Sequence, residues 1–443
     1  MQVKTSYNDI WKVAFPVILG GISHTLINIT DTIFLGHVGE VELGASAIAG
    51  IYYFVLFMIG MGFATGMQIL IARKAGEHKE DEIGDIFIHG VYITAVLSVF
   101  LFLLLKYFSK SVMNLVISDT KILNAINLFL DFRSWGIFFV LICFLFRSFY
   151  IGISETRTIT WSMALMAIVN IVLNYLLVFG KYGFPEMGIA GSALSSSIAE
   201  CCGAGYFIIV SSRSAKIKSM NIFRFGSFSK SLLNRIINLS IPIVLQHILS
   251  LGGWLVFFLV IEKTGERNLA VSNIVRSILF VLMTPVWGFF AASNSMTSNI
   301  IGQGKSSEVM ILIKRIASMS LLLSLIPCVP IFFFPELTIG VFTSNADIVN
   351  TSVQSLYMVC GATLVFSVSG ILLGAVSGTG STRQAMVIEL ITIILYLVYL
   401  YLLAFKLHSS IEILWTTEGF YWIVIGLLSF IYLKSNRWEG RKI

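Results

Sequence analysis

Apolar residues fill this chain in long runs, without the alternation of polar and apolar positions that marks the half-buried strands and helices of soluble proteins. A helix needs about 20 mostly apolar residues to cross a hydrocarbon core about 30 Å thick. Such runs recur at about 13–35, 45–71, 86–105, 127–150, 159–179, 188–210, 238–261, 270–300, 316–334, 350–377, 385–405 and 413–433. The pattern predicts an all-α polytopic membrane protein with twelve transmembrane helices.

The second half of the sequence repeats the first at an offset of 226 residues. Pro16 coincides with Pro242 and Gly39 with Gly265, and the backbone demands of these residue types tie them to their positions. Each copy contains six spans. Because six is even, both copies enter the membrane in the same sense, so we expect two parallel lobes related by a pseudo-two-fold axis along the membrane normal.

The repeat divides the chain into two six-helix lobes. We place the N-terminal lobe, which we expect to carry an ion-coupling site, at 1–218 and the C-terminal lobe at 219–443. A basic cytoplasmic linker around 211–237 joins them, and this longest connection is too short for a folded extramembrane domain. The protein is therefore expected to act inside the lipid bilayer.

Composition narrows the classes of function. Of the 443 residues, 57% are hydrophobic and 12% are charged, whereas a soluble domain has about 25% charged residues. The net charge of +7 is explained by lysines and arginines in alternate connecting segments, so nucleic acid is not an expected partner. This distribution predicts that both termini are cytoplasmic. The sequence shows no metal-ligand or nucleophile pattern, and we expect neither an enzyme nor catalytic residues.

One carboxylate lies well inside the first apolar run. Asp31 shares a helical face with Asn28 and His24, while the flanking positions hold Ile, Leu and Phe. A charge at the bilayer centre costs roughly 2.5–3.5 kcal/mol on insertion scales, so such a residue belongs in a bundle interior or a wet cavity. We predict that Asp31 handles the coupling ion.

Polar residues in the fifth and sixth spans are its predicted partners. Asn170 and Asn174 stand at positions i and i+4, and Ser196 follows in the next span. Their oxygens suit a proton or a small monovalent cation held at Asp31. The alternative is that they form hydrogen bonds that tie membrane helices together. We expect no cofactor and no metal site beyond that ion.

Six further polar residues are candidates for tuning this site or lining a substrate cavity: His24, Asn28, Glu200, Gln246, Asn273 and Arg276. His24 either tunes Asp31 or is a neutral, hydrogen-bonded ring. Arg276 either recognises an anionic group on a substrate or forms half of a buried ion pair. Glu389 and Glu418 lie near span ends and are interpreted as structural.

The two lobes differ in their polar chemistry. At the offset of 226, the residues that coincide with Asp31, Asn170 and Asn174 are Phe257, Tyr396 and Leu400. We therefore expect the coupling ion to bind in the N-terminal lobe only. Two lobes that rock around a site between them suit a carrier. An ion channel is the alternative from another class, but the sequence has no repeated filter motif and no ring of like charges.

Three motifs resemble those of the multidrug and toxic compound extrusion (MATE) transporters. They are Asn28-x-x-Asp31-Thr32-x-x-x-Gly36-x-x-Gly39, Gly152-x-x-x-Thr156-Arg157, and Asn170-x-x-x-Asn174 followed by Gly188-Ile-Ala-Gly-Ser-Ala-Leu-Ser-Ser196. The resemblance covers nearly the whole chain. It implies a bacterial cation-coupled antiporter that exports organic, often cationic, compounds, with an ion site at Asp31, Asn170 and Ser196.

The chain departs from the family pattern at two places. Many members have an aspartate where Asn174 stands, so Asp31 is left as the evident acid of the first lobe. The NorM-like branch has acids in the seventh and tenth helices, where this chain has roughly Ser250 and Phe366. The sequence is therefore closer to the DinF-like branch, and proton coupling is favoured over sodium.

The expected function is a secondary active antiporter that exchanges drugs or metabolites for protons, or else sodium, by alternating access. A lipid-linked oligosaccharide flippase of the same superfamily is the alternative carrier. An arginine-rich cavity would favour the flippase, and this chain offers few arginines inside its spans. We expect a functional monomer that spans the bacterial plasma (inner) membrane and binds a small organic substrate.

Overall fold

The computed structural model describes residues 2–224, 226, 228–343 and 345–441. Within these residues, twelve helices are long and apolar enough to cross a membrane, which confirms the predicted number. We label them α1 to α12 in chain order: Tyr7–Val38, Glu40–Gly76, Glu80–Val116, Thr120–Gly152, Arg157–Val178, Gly188–Arg213, Lys230–Glu262, Glu266–Gly302, Ser306–Phe333, Ala346–Gly378, Thr382–Lys406 and Ile411–Lys434. Short helices at Ala215–Lys218 and Pro335–Gly340 lie in two of the connections.

The internal repeat is visible in how the helices begin. Glu40 starts α2 and Glu266 starts α8, and the two residues are equivalent at the offset of 226. The equivalent residues Asp119 and Asn345 cap the N-termini of α4 and α10. The Asp119 side chain accepts two backbone N–H bonds at 2.7 and 3.2 Å, and the Asn345 side chain accepts two at 3.0 and 3.4 Å. The same local chemistry therefore starts the same helix in both copies.

The described residues form two compact units. One unit comprises 19–240, and the other comprises 2–18 together with 241–441. This division differs from the lobes placed at 1–218 and 219–443, because the beginning of α1 packs with the second half of the chain. The beginning of α7, in turn, packs with the first half. Each of these two helices therefore contributes to both units.

Hydrogen bonds fix the N-terminal segment of the chain in its unit. The backbone N–H of Val3 donates to Oδ1 of Asn299 at 3.2 Å. The guanidinium of Arg315 donates to the carbonyl oxygen of Thr5 at 2.7 Å. These contacts satisfy polar groups of an otherwise unstructured segment and explain why it packs against α8 and α9.

A corresponding set of contacts fixes the segment that starts α7. The backbone N–H of Ser229 donates to Nε2 of His89 at 2.9 Å, and His89 is the repeat equivalent of the arginine that binds the N-terminal segment. Further along, Ser240 lies so close to Gly66 that a Cβ on this glycine would meet the serine Cα at 2.9 Å. A glycine is therefore required for α7 to approach α2 this closely.

In the unit 19–240, helix packing determines which side chains can meet. α4 packs against α2, α3 and α6, and α6 also packs against α5. The part of α1 that belongs to this unit begins at Leu19 and includes Asp31. The polar side chains of α5 and α6 are therefore brought into the same unit as the one carboxylate of the first span.

Candidate functional site

Asp31 lies on α1 and receives hydrogen bonds from two other helices. The side-chain amide of Asn174, on α5, donates to one carboxylate oxygen. The hydroxyl of Ser196, on α6, donates to the other at 3.4 Å. The carboxylate is half-buried. Donors on both oxygens stabilise the charged form, which would be costly in an apolar environment without them.

Asn170 connects the two donors into one network. Its amide nitrogen donates to Ser196 Oγ at 3.1 Å, and its amide oxygen accepts from Asn174 at 3.2 Å. Both asparagine side chains are fully buried. The spacing of four residues places them on one face of α5, as the sequence predicts. The structure thus brings together the four residues predicted for ion coupling, and their function in coupling stays a prediction.

The amide oxygen of Asn174 is buried and has no hydrogen-bond partner among the described residues. This matters for the chemistry at Asp31. A carboxylate needs a donor, which the amide nitrogen supplies, whereas a protonated carboxyl group needs an acceptor for its O–H. Rotation of the same amide would present that acceptor. The network can therefore accommodate Asp31 with or without a proton.

His24 and Asn28 share the face of α1 that contains Asp31. The amide of Asn28 and Nδ1 of His24 are 3.2 Å apart, at hydrogen-bond distance. Asn28 is exposed, and the ring of His24 lies 6.4 Å from that of Phe57. These two residues form a local pair and do not join the hydrogen bonds of the carboxylate in the described structure.

Glu200 forms an ion pair that the sequence does not predict. Both of its carboxylate oxygens accept from the guanidinium of Arg133 on α4, at 2.5 and 2.6 Å. The same guanidinium lies 4.2 Å from the ring centroid of Tyr53 on α2. A bidentate pair with a cation–π contact is a strong, directional arrangement. From the sequence, one could see only that Arg133 and Glu200 are charged residues within two different spans.

Gln246, a residue of the other unit, also contacts a carboxylate. Its amide nitrogen donates to Glu389 at 3.5 Å, and the hydroxyl of Tyr421 donates to the same group at 2.5 Å. Ser250 lies 3.2 Å from this hydroxyl. Glu389 is 1% exposed. An acid–amide pair therefore exists in the second half of the chain too, at positions that are not the repeat equivalents of Asp31 and its partners.

Asn273 and Arg276 lie on α8 and are both half-buried. The guanidinium of Arg276 is 4.8 Å from the ring centroid of Phe258. It forms no ion pair with any residue that the structure describes, so the buried ion-pair alternative is not what we observe. A cation on an aromatic face keeps its hydrogen-bond donors available.

The chain matches a known protein family in both of its halves. The MatE family model matches it twice, over residues 16–176 and 242–402. These two segments are separated by the same 226 residues as the internal repeat, and together they cover more than half of the chain. The family signature is thus present once in each half, as a duplicated six-helix unit requires.

Curated relatives cover most of the chain. The probable multidrug resistance protein NorM of Photorhabdus laumondii is 24% identical over 375 residues, which are 84% of this chain and 82% of the relative. The protein of the same name in Thermotoga maritima is 23% identical over 395 residues, 88% of this chain and 84% of that protein.

A solved structure shows the same fold. It is described as an outward-facing conformation of a multidrug resistance MATE family transporter, and it matches with a TM-score of 0.90 over 97% of this chain and 95% of that chain. Because the two sequences are only 15% identical, this likeness shows a shared fold and nothing more. The repeated family match, the twelve membrane helices and this fold lead to one conclusion. The chain belongs to the MatE family and is a membrane transporter, not an enzyme.

Proposed function

We propose that this protein is a secondary active antiporter that exports organic, often cationic, compounds in exchange for protons. The network around Asp31 carries the proposal, because it consists of one carboxylate inside a membrane helix with donors from two other helices. Such an intramembrane acid is typical of proton relays and ion sites. The relatives named as probable multidrug resistance proteins support the substrate class.

A proton suits this network better than sodium does. Asn174 and Ser196 donate hydrogen bonds to the two oxygens of the carboxylate, so both oxygens already have partners. Hard cations in proteins are held by several oxygen ligands. The network contains one acid, because Asn174 stands where many members of the family have an aspartate. A proton needs one oxygen atom and no such cage.

Exchange follows from two charge states of Asp31. When the site opens to the outside, the carboxylate takes up a proton, an O–H bond forms and its attraction for a cationic compound is lost. When the site opens to the cytoplasm, the proton leaves and the charged carboxylate favours binding of the next cation. The proton gradient drives export because the proton and the cationic compound oppose each other's binding at one carboxylate, so uptake of one favours release of the other.

We place the protein in the bacterial plasma membrane as a functional monomer, with both termini in the cytoplasm as the distribution of lysine and arginine predicts. Ser250 and Phe366, at the positions of the second-lobe acids, support a DinF-like lineage. The two relatives compared above carry the name NorM.

The test is ethidium efflux from proteoliposomes under an imposed proton or sodium gradient. We expect the proton gradient to drive efflux. Asp31→Asn should abolish this efflux because the titrating group is gone, and Asp31→Glu should retain part of it. A matched control is Asp347→Asn, which removes a carboxylate that is 66% exposed and paired with Arg267.

Two outcomes would contradict the proposal. Near-normal proton-driven efflux by Asp31→Asn, at matched protein levels, would remove Asp31 from the mechanism. Efflux that the sodium gradient drives and the proton gradient does not drive would show that sodium, and not the proton, is the coupling ion.

A further inference from the structure

One cation and three aromatic rings form a patch where α7 and α8 meet. Trp254 and Phe258 are four residues apart on α7, and Arg276 and Phe280 are four residues apart on α8, so each pair shares one face of its helix. The ring of Trp254 lies 5.6 Å from that of Phe258 and 5.4 Å from that of Phe280. The guanidinium of Arg276 lies 4.8 Å from the ring centroid of Phe258. These contacts join the four side chains into one surface, the arginine–aromatic patch.

The patch is open at its surface. Phe280 is 55% exposed, and the other three side chains are half-buried. Arg276 forms no ion pair with, and donates no hydrogen bond to, any residue that the structure describes. A guanidinium is always charged and has five N–H donors. The stacked arginine therefore presents its donors to whatever binds at the patch.

The position of Arg276 along α8 limits what its surface can face. It lies ten residues after Glu266, the first residue of the helix, which is about 15 Å along the helix axis. An arginine inside a membrane span faces a partner or a water-filled cavity, because its exposure to lipid is costly. Since no carboxylate of the described residues pairs with it, the surface around this arginine must be one that water reaches.

Helix packing does not explain the patch. At the offset of 226, the position of the arginine holds Gly50, and a Cβ on this glycine would have no atom within 4 Å. The positions of Trp254 and Phe258 hold Asn28 and Thr32. The repeated fold therefore needs neither a cation nor these two rings at these places, and the patch is a feature of the second half of the chain.

The chemistry of the patch selects its ligand. A guanidinium binds a planar carboxylate through paired hydrogen bonds, and exposed aromatic rings bind flat ring systems by stacking. We propose that the arginine–aromatic patch binds the carboxylate of flat aromatic substrates, with Arg276 as a specificity residue. The inference rests on the proposed export of organic cations and deepens it, because the exported compounds then include zwitterions that carry both a cationic ring system and a carboxylate.

Rhodamine B and its ethyl ester isolate the contribution of the carboxylate. The two dyes share one cationic ring system, and rhodamine B alone has the free carboxylate. Binding to the purified protein is measured by fluorescence polarisation in dodecyl maltoside, with the signal of protein-free micelles subtracted. This detergent has no phosphate group, so it offers the guanidinium no competing anion. Efflux of each dye from proteoliposomes under a proton gradient is measured in parallel.

Arg276→Gln should weaken binding of rhodamine B about tenfold or more, as expected for the loss of a hydrogen bond between charged groups, and should leave binding of the ester unchanged. In efflux, KM for rhodamine B should rise by the same factor with kcat unchanged. Arg276→Lys should keep part of the affinity, because it retains the charge without the planar fork. The matched control is Arg267→Gln, which removes an exposed cation of the same helix from its pair with Asp347 and should affect neither dye.

Phe258→Leu is a second variant that leaves the charge in place. It removes the ring that supports the guanidinium, so it should weaken binding of rhodamine B more than binding of the ester. This variant tests the patch even if the variants at Arg276 are poorly folded.

A selective loss of rhodamine B binding supports the inference. Equal changes for the two dyes in Arg276→Gln would show a merely structural role and overturn it, and so would unaltered binding of rhodamine B by this variant. An unmodified protein that does not bind rhodamine B would also overturn it. Failure of the proposed function is a distinct result, because the proton gradient would then drive efflux of neither dye, while the binding measurements in detergent still decide what the patch recognises.

Discussion

Asn174 donates a hydrogen bond to the carboxylate of Asp31 across 143 positions of sequence. The contact joins α5 to α1, and Asn170 and Ser196 extend it to α6. Three side chains therefore connect the charge state of the carboxylate to the positions of three helices. Any change in that charge alters the hydrogen bonds that hold these helices together.

Removing this donor should weaken coupled transport. In Asn174→Ala, the charged carboxylate loses a hydrogen bond worth about 1.5–3 kcal/mol, so we expect proton-driven ethidium efflux to fall about tenfold or more. Asn268→Ala is the control, because among the described residues this half-buried asparagine near the start of α8 donates hydrogen bonds only to Thr264, which lies just before that helix. Undiminished efflux by Asn174→Ala would show that the hydrogen bond has no part in coupling.

The fold was largely predictable from the sequence, for a physical reason. A helix that spans the bilayer must be long and apolar, so each one is visible in the sequence as a run of consecutive apolar residues. The repeat follows from prolines and glycines such as Pro16 and Pro242, whose positions are constrained by the backbone. The sequence did not predict that the beginning of α1 packs with the second half of the chain and the beginning of α7 with the first. This packing depends on contacts such as that of Ser229 with His89, which are 140 positions apart.

The site was predictable where helical spacing determines it. Asn170 and Asn174 share a face because they are four residues apart. The pair of Arg133 and Glu200 is separated by 67 positions on two helices, and its formation depends on how these helices rotate and tilt. Side-chain packing sets those angles, and no period in the sequence encodes them.

Gly136 on α4 should be required for the ion pair of Arg133 and Glu200, which joins α4 to α6. In Gly136→Ala, the new methyl group would overlap Arg133 and Glu200, so the two charged side chains must move. We expect a loss of about 1–3 kcal/mol, measured as a lower apparent melting temperature in detergent. Gly205→Ala is the control, because a Cβ there has no atom within 4 Å. Equal melting temperatures for the two variants would mean that the pair adapts at no cost.

The close approach of α7 to α2 should depend on Gly66. In Gly66→Ala, the Cβ would overlap Oγ of Ser240 and would meet its Cα at 2.9 Å, and backbone cannot move aside as a side chain can. We expect the apparent melting temperature to fall by several degrees. Gly50→Ala lies in the same helix, has open space around its Cβ and serves as control. A Gly66→Ala protein as stable as this control would argue against the packing of α7 on α2.

Phe257, the repeat equivalent of Asp31, provides a test of the asymmetry between the two halves. Its fully buried ring packs against Trp415 at a centroid distance of 5.0 Å and an angle of 71°. Phe257→Leu keeps an apolar side chain but loses this edge-to-face contact, worth about 0.5–1.5 kcal/mol. We therefore expect a modest loss of stability and unchanged proton coupling.

The comparison with Asp31→Asn makes this prediction decisive. That variant changes few atoms and no packing volume, so it should remain folded while losing proton-driven efflux. Both variants are measured in the same two assays, the apparent melting temperature and ethidium efflux under a proton gradient. If Phe257→Leu lost coupling while remaining as stable as Asp31→Asn, and Asp31→Asn kept coupling, the ion would have to act in the second half of the chain. The candidate group there is Glu389, which Tyr421 and Gln246 already hold by hydrogen bonds.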